Sequence, residues 1–122
     1  MRKPIKAIIA ASAVATMLGG VALPGVVAAQ EKSVVEQGKE IAFDRRAGNC
    51  LACHMVEGAN LPGNIGPPLV AMKARFPDKD RLRAQIHDPQ QFNPNTVMPP
   101  FGKHNILSDE QIDKIVEYVY SL

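Results

Sequence analysis

The feature that most restricts this chain is a pair of cysteines that are separated by two residues and followed directly by a histidine. Cys50 and Cys53 are the only cysteines among the 122 residues, and His54 comes next. A disulfide across two residues would constrain the unfolded chain only weakly. A thiol redox pair would follow a buried strand, whereas residues 45–49 are largely polar. A structural zinc site would need about four ligands.

The remaining interpretation is covalent attachment of a haem, in which both thiols form thioethers with the vinyl groups of the ring. One turn of helix places the two sulfur atoms along one edge of the macrocycle. His54 then lies beneath the ring with an imidazole nitrogen on the iron. We therefore expect one covalent haem c, with its iron, held by Cys50, Cys53 and His54. A thiol oxidoreductase that uses the two cysteines is a remote alternative.

A haem that carries electrons usually has a second axial ligand, and a methionine opposite a histidine raises its reduction potential. Met98 lies in a proline-rich loop, where it has no helical stripe to join. Met55 directly follows the proximal histidine and cannot reach the opposite face, and the helical spacing of Met72 predicts a core position. His87 and His104 are expected at a helix end and on the surface. We therefore expect Met98 to bind the iron, with His87 as the next choice.

The first 29 residues have the pattern of a secretory signal peptide. Three basic residues, Arg2, Lys3 and Lys6, precede an uncharged apolar stretch that ends in small residues. A retained anchor helix is the alternative, but glycines and prolines interrupt the apolar run. We therefore expect residues 1–29 to be removed and residues 30–122 to form one haem-binding domain in the periplasm, with no membrane span.

Charge and composition exclude some partners. Without the three basic residues of the leader, the formal net charge of +2 becomes −1. Nucleic-acid binding needs a concentrated basic face and is not expected. A domain of this size has a modest core and often relies on a cross-link or a cofactor for its stability. Five basic residues form either a solvated face or a local positive patch: Lys73, Arg75, Lys79, Arg81 and Arg83.

Helices at both ends and loops in the middle predict an all-α fold. Capping boxes that begin at Ser33 and Ser108 predict a first helix to about Asp44 and a last helix at the end of the chain. The middle contains every proline of residues 30–122. Two short helices are expected there, near residues 69–76 and 78–87. Such long loops fit a compact domain if they wrap a large apolar ligand, and haem is such a ligand.

The order of these features resembles that of the class I cytochromes c: a first helix, the CxxCH segment, a methionine loop and a last helix. The resemblance implies that the terminal helices cross closely at Gly38, with Phe43 and Tyr118 as the aromatic residues at the crossing. A Gly-Pro-Pro-Leu run that contains Pro67 resembles the family's loop on the proximal side. There the carbonyl of Pro67 would accept a hydrogen bond from Nδ1 of His54 and fix the orientation of the ring.

Longer phrases resemble the SoxX family, the monohaem cytochrome subunits of bacterial SoxAX complexes. The resemblance covers roughly residues 45–122. It rests on three runs: Gly48-Asn49-Cys50-Leu51-Ala52-Cys53-His54, Gly63-Asn64-Ile65-Gly66-Pro67-Pro68-Leu69, and Asn93-Pro94 with Thr96-Val97-Met98-Pro99.

This resemblance implies an electron-transfer subunit without a catalytic residue of its own. In SoxAX complexes, thiosulfate is joined oxidatively to a cysteine of a SoxY-type carrier, an L-cysteine S-thiosulfotransferase reaction attributed to the SoxA-type subunit. The SoxX haem accepts the electrons and passes them to a soluble cytochrome. With both cysteines bound to haem, the SoxA-type partner would be held noncovalently. Phe101 and the preceding Pro99-Pro100 would face a partner or pack on the haem. The alternative is a free-standing monohaem shuttle to an oxidase.

Overall fold

Residues 31–122 are described by a computed structural model, and they form helices joined by turns and loops, without a strand. The predicted signal peptide, residues 1–29, lies outside the described residues. No helix within residues 31–122 is long and apolar enough to cross a membrane. The α-helices are α1 (Val34–Phe43), α2 (Met72–Arg75), α3 (Lys79–His87) and α4 (Asp109–Tyr120), and two 3₁₀ helices span Cys50–Ala52 and Pro89–Gln91.

Both predicted capping boxes are present. The Oγ of Ser33 accepts a hydrogen bond from the backbone N–H of Glu36, whose carboxylate accepts one from the N–H of Ser33. The Glu36 side chain therefore has a pKa below its usual value, chiefly because of the hydrogen bond from the Ser33 backbone. Ser108 and Gln111 pair in the same way at the start of α4. Each box satisfies N–H groups that have no partner inside the helix.

The helix α2 is shorter than the sequence predicts. Its N-cap, Ala71, has a positive φ of 51° and lies in the left-handed region, so residues 69–71 do not belong to the helix. The helix is fixed from the other end of the chain, because the backbone N–H of Met72 donates to the carbonyl of Leu122 at 2.9 Å.

The terminal helices α1 and α4 cross at a buried glycine, as the class I resemblance predicts. A Cβ on Gly38 would overlap the backbone carbonyl of Lys114, so only glycine lets the two backbones approach this closely. One turn away, the rings of Phe43 and Tyr118 meet edge to face with centroids 6.0 Å apart. Ile112 and Ile115 are almost fully buried beneath this crossing. The predicted all-α class I cytochrome c fold is confirmed.

Basic residues of α3 form ion pairs with carboxylates of α4. Nζ of Lys79 lies 3.0 Å from both carboxylate oxygens of Glu117. The guanidinium of Arg83 lies 2.8 Å from Asp109 and 2.6 Å from Asp113. The hydrogen bonds that Arg83 donates to these two carboxylates, to Asp109 first, raise the pKa of its guanidinium. Lys79 and Arg83 of the basic stretch are therefore engaged in contacts between helices.

Candidate functional site

The two cysteines lie on a single helical turn that is fixed to the first helix. Asn49 precedes it in the left-handed conformation with φ 47°, which asparagine tolerates better than most residues. The N–H of Gly48 donates to the carbonyl of Ile41 at 3.1 Å, and the N–H of His54 donates to the carbonyl of Cys50 at 2.8 Å. The turn is a 3₁₀ turn rather than an α-helical one.

The imidazole of His54 is held from its Nδ1 side by the Pro67 loop. Nδ1 lies 2.7 Å from the carbonyl oxygen of Pro67. Because a carbonyl only accepts, Nδ1 carries the proton and Nε2 keeps a free lone pair for a metal. A Cβ on Gly66 would lie 2.5 Å from Cε1 of the ring, so the glycine lets the loop pass against the imidazole. The backbone N–H of Gly66 also donates to the carbonyl of Cys53 at 2.8 Å.

A cavity of about 640 Å³ opens beside this turn and reaches into the core. Its wall is mostly apolar, and it includes the side chains of Met72, Leu82, Phe101 and Ile115. Cavities that bind cofactors commonly have this size and an apolar lining. Cys50, Cys53 and His54 line the same cavity. The donor set, the lining and the glycine beside His54 therefore fit a covalently attached haem.

Met98 lies on the wall of this cavity as the sequence predicts. It is partly buried, and its backbone N–H donates to Oγ1 of Thr96 at 3.1 Å. Met72 lines the same cavity from the core, and Met55 is not on its wall. Met72 is 2% exposed and belongs to the core, while Met55 is 48% exposed and lines a smaller groove instead.

The structure thus brings five predicted residues to one cavity: Cys50, Cys53, His54, Pro67 and Met98. The two histidines that the sequence left as lesser alternatives are not on its wall. His87 ends α3, where its ring contacts Gly102, and His104 is exposed. Phe101 is only 9% exposed and packs in the core, so of the two roles left open for it the packing role is the one observed.

Sequence reasoning missed the role of cations at the cavity. Arg45, Arg46 and Arg75 line it, and none of the described residues on its wall is an Asp or a Glu. Arg75 donates to the carbonyl of Pro68 at 2.5 Å and to Sδ of Met72 at 3.5 Å. In the sequence, Arg75 belongs to a mixed charged stretch, and only the fold shows that it is near the His54 side of the cavity.

The thiol of Cys50 lacks the lowered pKa of a reactive cysteine. Burial raises the pKa of the Cys50 thiol to about 11, and the nearby Cys53 adds to the shift. Reactive thiolates have a lowered pKa instead. Within residues 31–122, no three His, Cys, Asp or Glu side chains lie together as a metal-binding group.

The crossing of α1 and α4, the CxxCH turn and a methionine on the wall of the same cavity are features of a c-type cytochrome. Residues 34–119 match the family described as cytochrome c oxidase, cbb3-type, subunit III, and the chain belongs to this family. Its cofactor is one covalently bound haem c with iron, and its role is electron transfer.

Two similar proteins add detail. The fold matches the crystal structure of SoxXA from P. pantotrophus with a TM-score of 0.64 and 26% identity, over 70% of this chain and 79% of that chain. The resemblance to SoxX that the sequence motifs predict is confirmed as a likeness to a SoxX-type monohaem cytochrome c. An uncharacterized lipoprotein of Aquifex aeolicus is 34% identical over 76 residues, which is 62% of this chain. The chain spans only 37% of the length of that relative.

Proposed function

We propose that this protein is the electron-accepting monohaem subunit of a periplasmic complex that oxidises thiosulfate. It takes electrons from a SoxA-type cytochrome subunit, acts on a SoxY-type carrier only indirectly, and passes the electrons to a soluble cytochrome. The main support for this proposal is the apolar cavity whose wall includes the CxxCH turn and Met98, together with the likeness to SoxXA. The protein works after removal of residues 1–29 as a signal peptide.

In this proposal Cys50 and Cys53 would form two thioethers with a haem, and His54 and Met98 would bind its iron. Bound haem supplies an iron that changes between the ferric and ferrous states and so carries one electron. The carbonyl of Pro67 keeps the proton on Nδ1 of His54 and holds the ring in place. The apolar wall excludes water, which disfavours the additional charge of the ferric state. Arg45, Arg46 and Arg75 line the same cavity, so their positive charges would favour the carboxylates of a bound haem.

The chain offers no nucleophile, general acid or general base for sulfur chemistry in this proposal, because both thiols are used for attachment. The partner therefore supplies the reaction and this chain supplies an electron acceptor. Since no further cysteine is present, the contact with a SoxA-type subunit is noncovalent.

The attachment residues are tested by producing the Cys50→Ala/Cys53→Ala variant in cells that mature c-type cytochromes. Haem staining of a denaturing gel should be positive for the unmodified protein and absent for the variant. Cys50→Ser alone is the matched single change, and it should leave at most one thioether and a shifted pyridine-haemochrome spectrum. A variant that stains like the unmodified protein would show that haem is attached elsewhere.

The electron-transfer role is tested with purified protein, a SoxA-type subunit, a SoxY-type carrier and thiosulfate. We expect the ferrous spectrum to develop only when all components are present, and omission of the carrier is the control. Reduction by generic donors alone, with no response to thiosulfate in the full mixture, would overturn the thiosulfate assignment while leaving a cytochrome.

A second function has one observation in its favour. The family is described as subunit III of a cbb3-type cytochrome c oxidase. A free-standing shuttle that donates to an oxidase would use the same haem site without a SoxA-type partner. Rapid oxidation of the ferrous protein by membranes that contain such an oxidase, with no binding to a SoxA-type subunit, distinguishes this function.

A further inference from the structure

The loop that carries Met98 is closed at its base by four residues, which we call the loop neck: His87, Asp88, Gly102 and Lys103. The carbonyl of His87 accepts two hydrogen bonds, from the N–H of Gly102 at 3.0 Å and from the N–H of Lys103 at 3.1 Å. A Cβ on Gly102 would overlap the imidazole of His87. The end of α3 is therefore in direct contact with the chain that leaves the loop.

An ion pair crosses the loop neck beside these backbone bonds. Nζ of Lys103 lies 3.1 Å from Oδ2 of Asp88, and the Asp88 side chain is only 9% exposed. Asp88 also accepts hydrogen bonds from the N–H of Gln90 and from the side chain of Gln91. Burial opposes the ionisation of Asp88, but the hydrogen bonds from Lys103 and Gln91 outweigh it and hold its pKa below the usual value.

The loop inside the neck is stiff, and residues 90–99 are exposed or partly exposed. Their hydrogen bonds stay within residues 88–103, and their contact with α3 is made by the Arg81 guanidinium, 3.2 Å from the centre of the Phe92 ring. Pro94, Pro99 and Pro100 limit its backbone, and Met98 donates its N–H only to Thr96 of the same loop. Val97 is 79% exposed. Such a loop moves as a unit when its base opens, since its internal bonds travel with it.

We propose that Asp88 and Lys103 lock the loop neck and thereby keep the sulfur of Met98 on the iron. They are positioning residues, because neither lines the haem cavity. The inference rests on the proposed axial role of Met98. An open neck lets the loop and its sulfur swing away from the cavity, whereas a closed neck keeps the sulfur at the cavity wall.

Exogenous imidazole measures this opening in the ferric holoprotein, because imidazole binds the iron only when the sulfur has left. Its apparent affinity rises in proportion to the open fraction. We expect Lys103→Met and Asp88→Asn each to raise the affinity about tenfold, in line with loss of a charge-assisted hydrogen bond. The imidazole affinity of the double variant should exceed that of either single variant by no more than about twofold, because both changes remove the same ion pair. Lys103→Arg should keep the original affinity.

Lys79→Met is the matched control. It also removes a lysine–carboxylate pair of α3, Lys79 with Glu117, but that pair joins α3 to α4 and not to the loop. It should lower thermal stability and leave imidazole affinity unchanged. Equal effects of Lys79→Met and Lys103→Met would overturn the lock in favour of general destabilisation, as would an unchanged affinity in Lys103→Met.

The far-red absorption band of methionine-bound ferric haem distinguishes failure of the lock from failure of the proposed axial role of Met98. If the band is present in the unmodified protein and the imidazole affinity does not respond to changes at the neck, the lock alone is overturned. Absence of the band in the unmodified protein overturns the axial role of Met98, and the lock with it.

Discussion

His54 illustrates how single residues are prepared for one role. Its ring could carry the proton on either nitrogen, and the Pro67 carbonyl at 2.7 Å selects Nδ1. Gly66 leaves room for this contact because any side chain there would meet the ring. The local sequence therefore sets both the tautomer and the orientation of the histidine.

At the same scale, Met98→Ala tests the second axial ligand. We expect loss of the far-red band and a fall in reduction potential on the order of 0.1 V or more, because a thioether favours ferrous iron. Redox titration and the ferric spectrum are the measurements. Met55→Ala is the control, since this exposed methionine faces a different groove and should leave both properties unchanged.

Among the elements, the crossing of α1 and α4 is the closest contact. It depends on the absence of a side chain at Gly38, because the carbonyl of Lys114 occupies the place of a Cβ. The contact between α3 and α4 combines buried apolar side chains, such as Leu82 and Ile86 of α3 and Ile115 of α4, with ion pairs at the surface. A substitution at Gly38 should therefore weaken the contact of α1 with α4, whereas a change of pH or of a charged residue should weaken the contact of α3 with α4.

Gly38→Ala should lower the free energy of unfolding by about 2 kcal/mol, despite the higher helix propensity of alanine, because the two backbones must move apart. Chemical denaturation of the holoprotein measures it. Lys39→Ala, next along α1 and exposed, should change stability by less than about 0.5 kcal/mol. A stabilised Gly38→Ala protein would contradict the close crossing.

The contact of α3 with α4 should show in the pH dependence of stability. The hydrogen bond from Arg83 lowers the pKa of Asp109 below its model-peptide value of 3.8. A lowered carboxyl pKa stabilises the fold at pH above 3.8, and this contribution is lost as the pH falls through the lower folded value. Arg83→Gln should therefore reduce Tm at pH 7, and the difference from the unmodified protein should shrink below pH 3.8. A difference that is constant with pH would contradict this role.

At the scale of the whole molecule, the haem cavity lies within the hydrophobic core, because core residues form much of its wall. Residues of α3, α4 and the loops share its wall, and the cavity is about 640 Å³. Without haem, the apolar side chains around this volume would lose their packing partners and face water, which is unfavourable. The chain without haem would therefore collapse or fill with water instead of keeping this shape.

The Cys50→Ala/Cys53→Ala protein should accordingly lack a cooperative thermal transition. Circular dichroism and one-dimensional NMR, each recorded against the holoprotein, are the measurements. We expect reduced helicity and poorly dispersed side-chain signals. A haem-free protein that melts cooperatively near the Tm of the holoprotein would show that the helices are stable without the cofactor.

The sequence by itself determined the parts that depend on short spacing. Cys50, Cys53 and His54 are neighbours along the chain, so one turn brings them together, and the two capping boxes define the starts of α1 and α4 through local hydrogen bonds. The α1–α4 crossing at Gly38 followed from the family resemblance. Local patterns could also separate Met98, in its proline-rich loop, from the core methionine Met72.

The tertiary structure decided what depends on residues distant along the chain. The prediction that residues 69–71 are helical was wrong, because the fold places Ala71 in the left-handed region. The fold also brought Arg75 to the haem cavity and Lys103 to Asp88, and it buried Phe101. Local sequence patterns do not predict these contacts. The sequence shows which charged residues the chain has, but only the folded structure determines which of them lie close together.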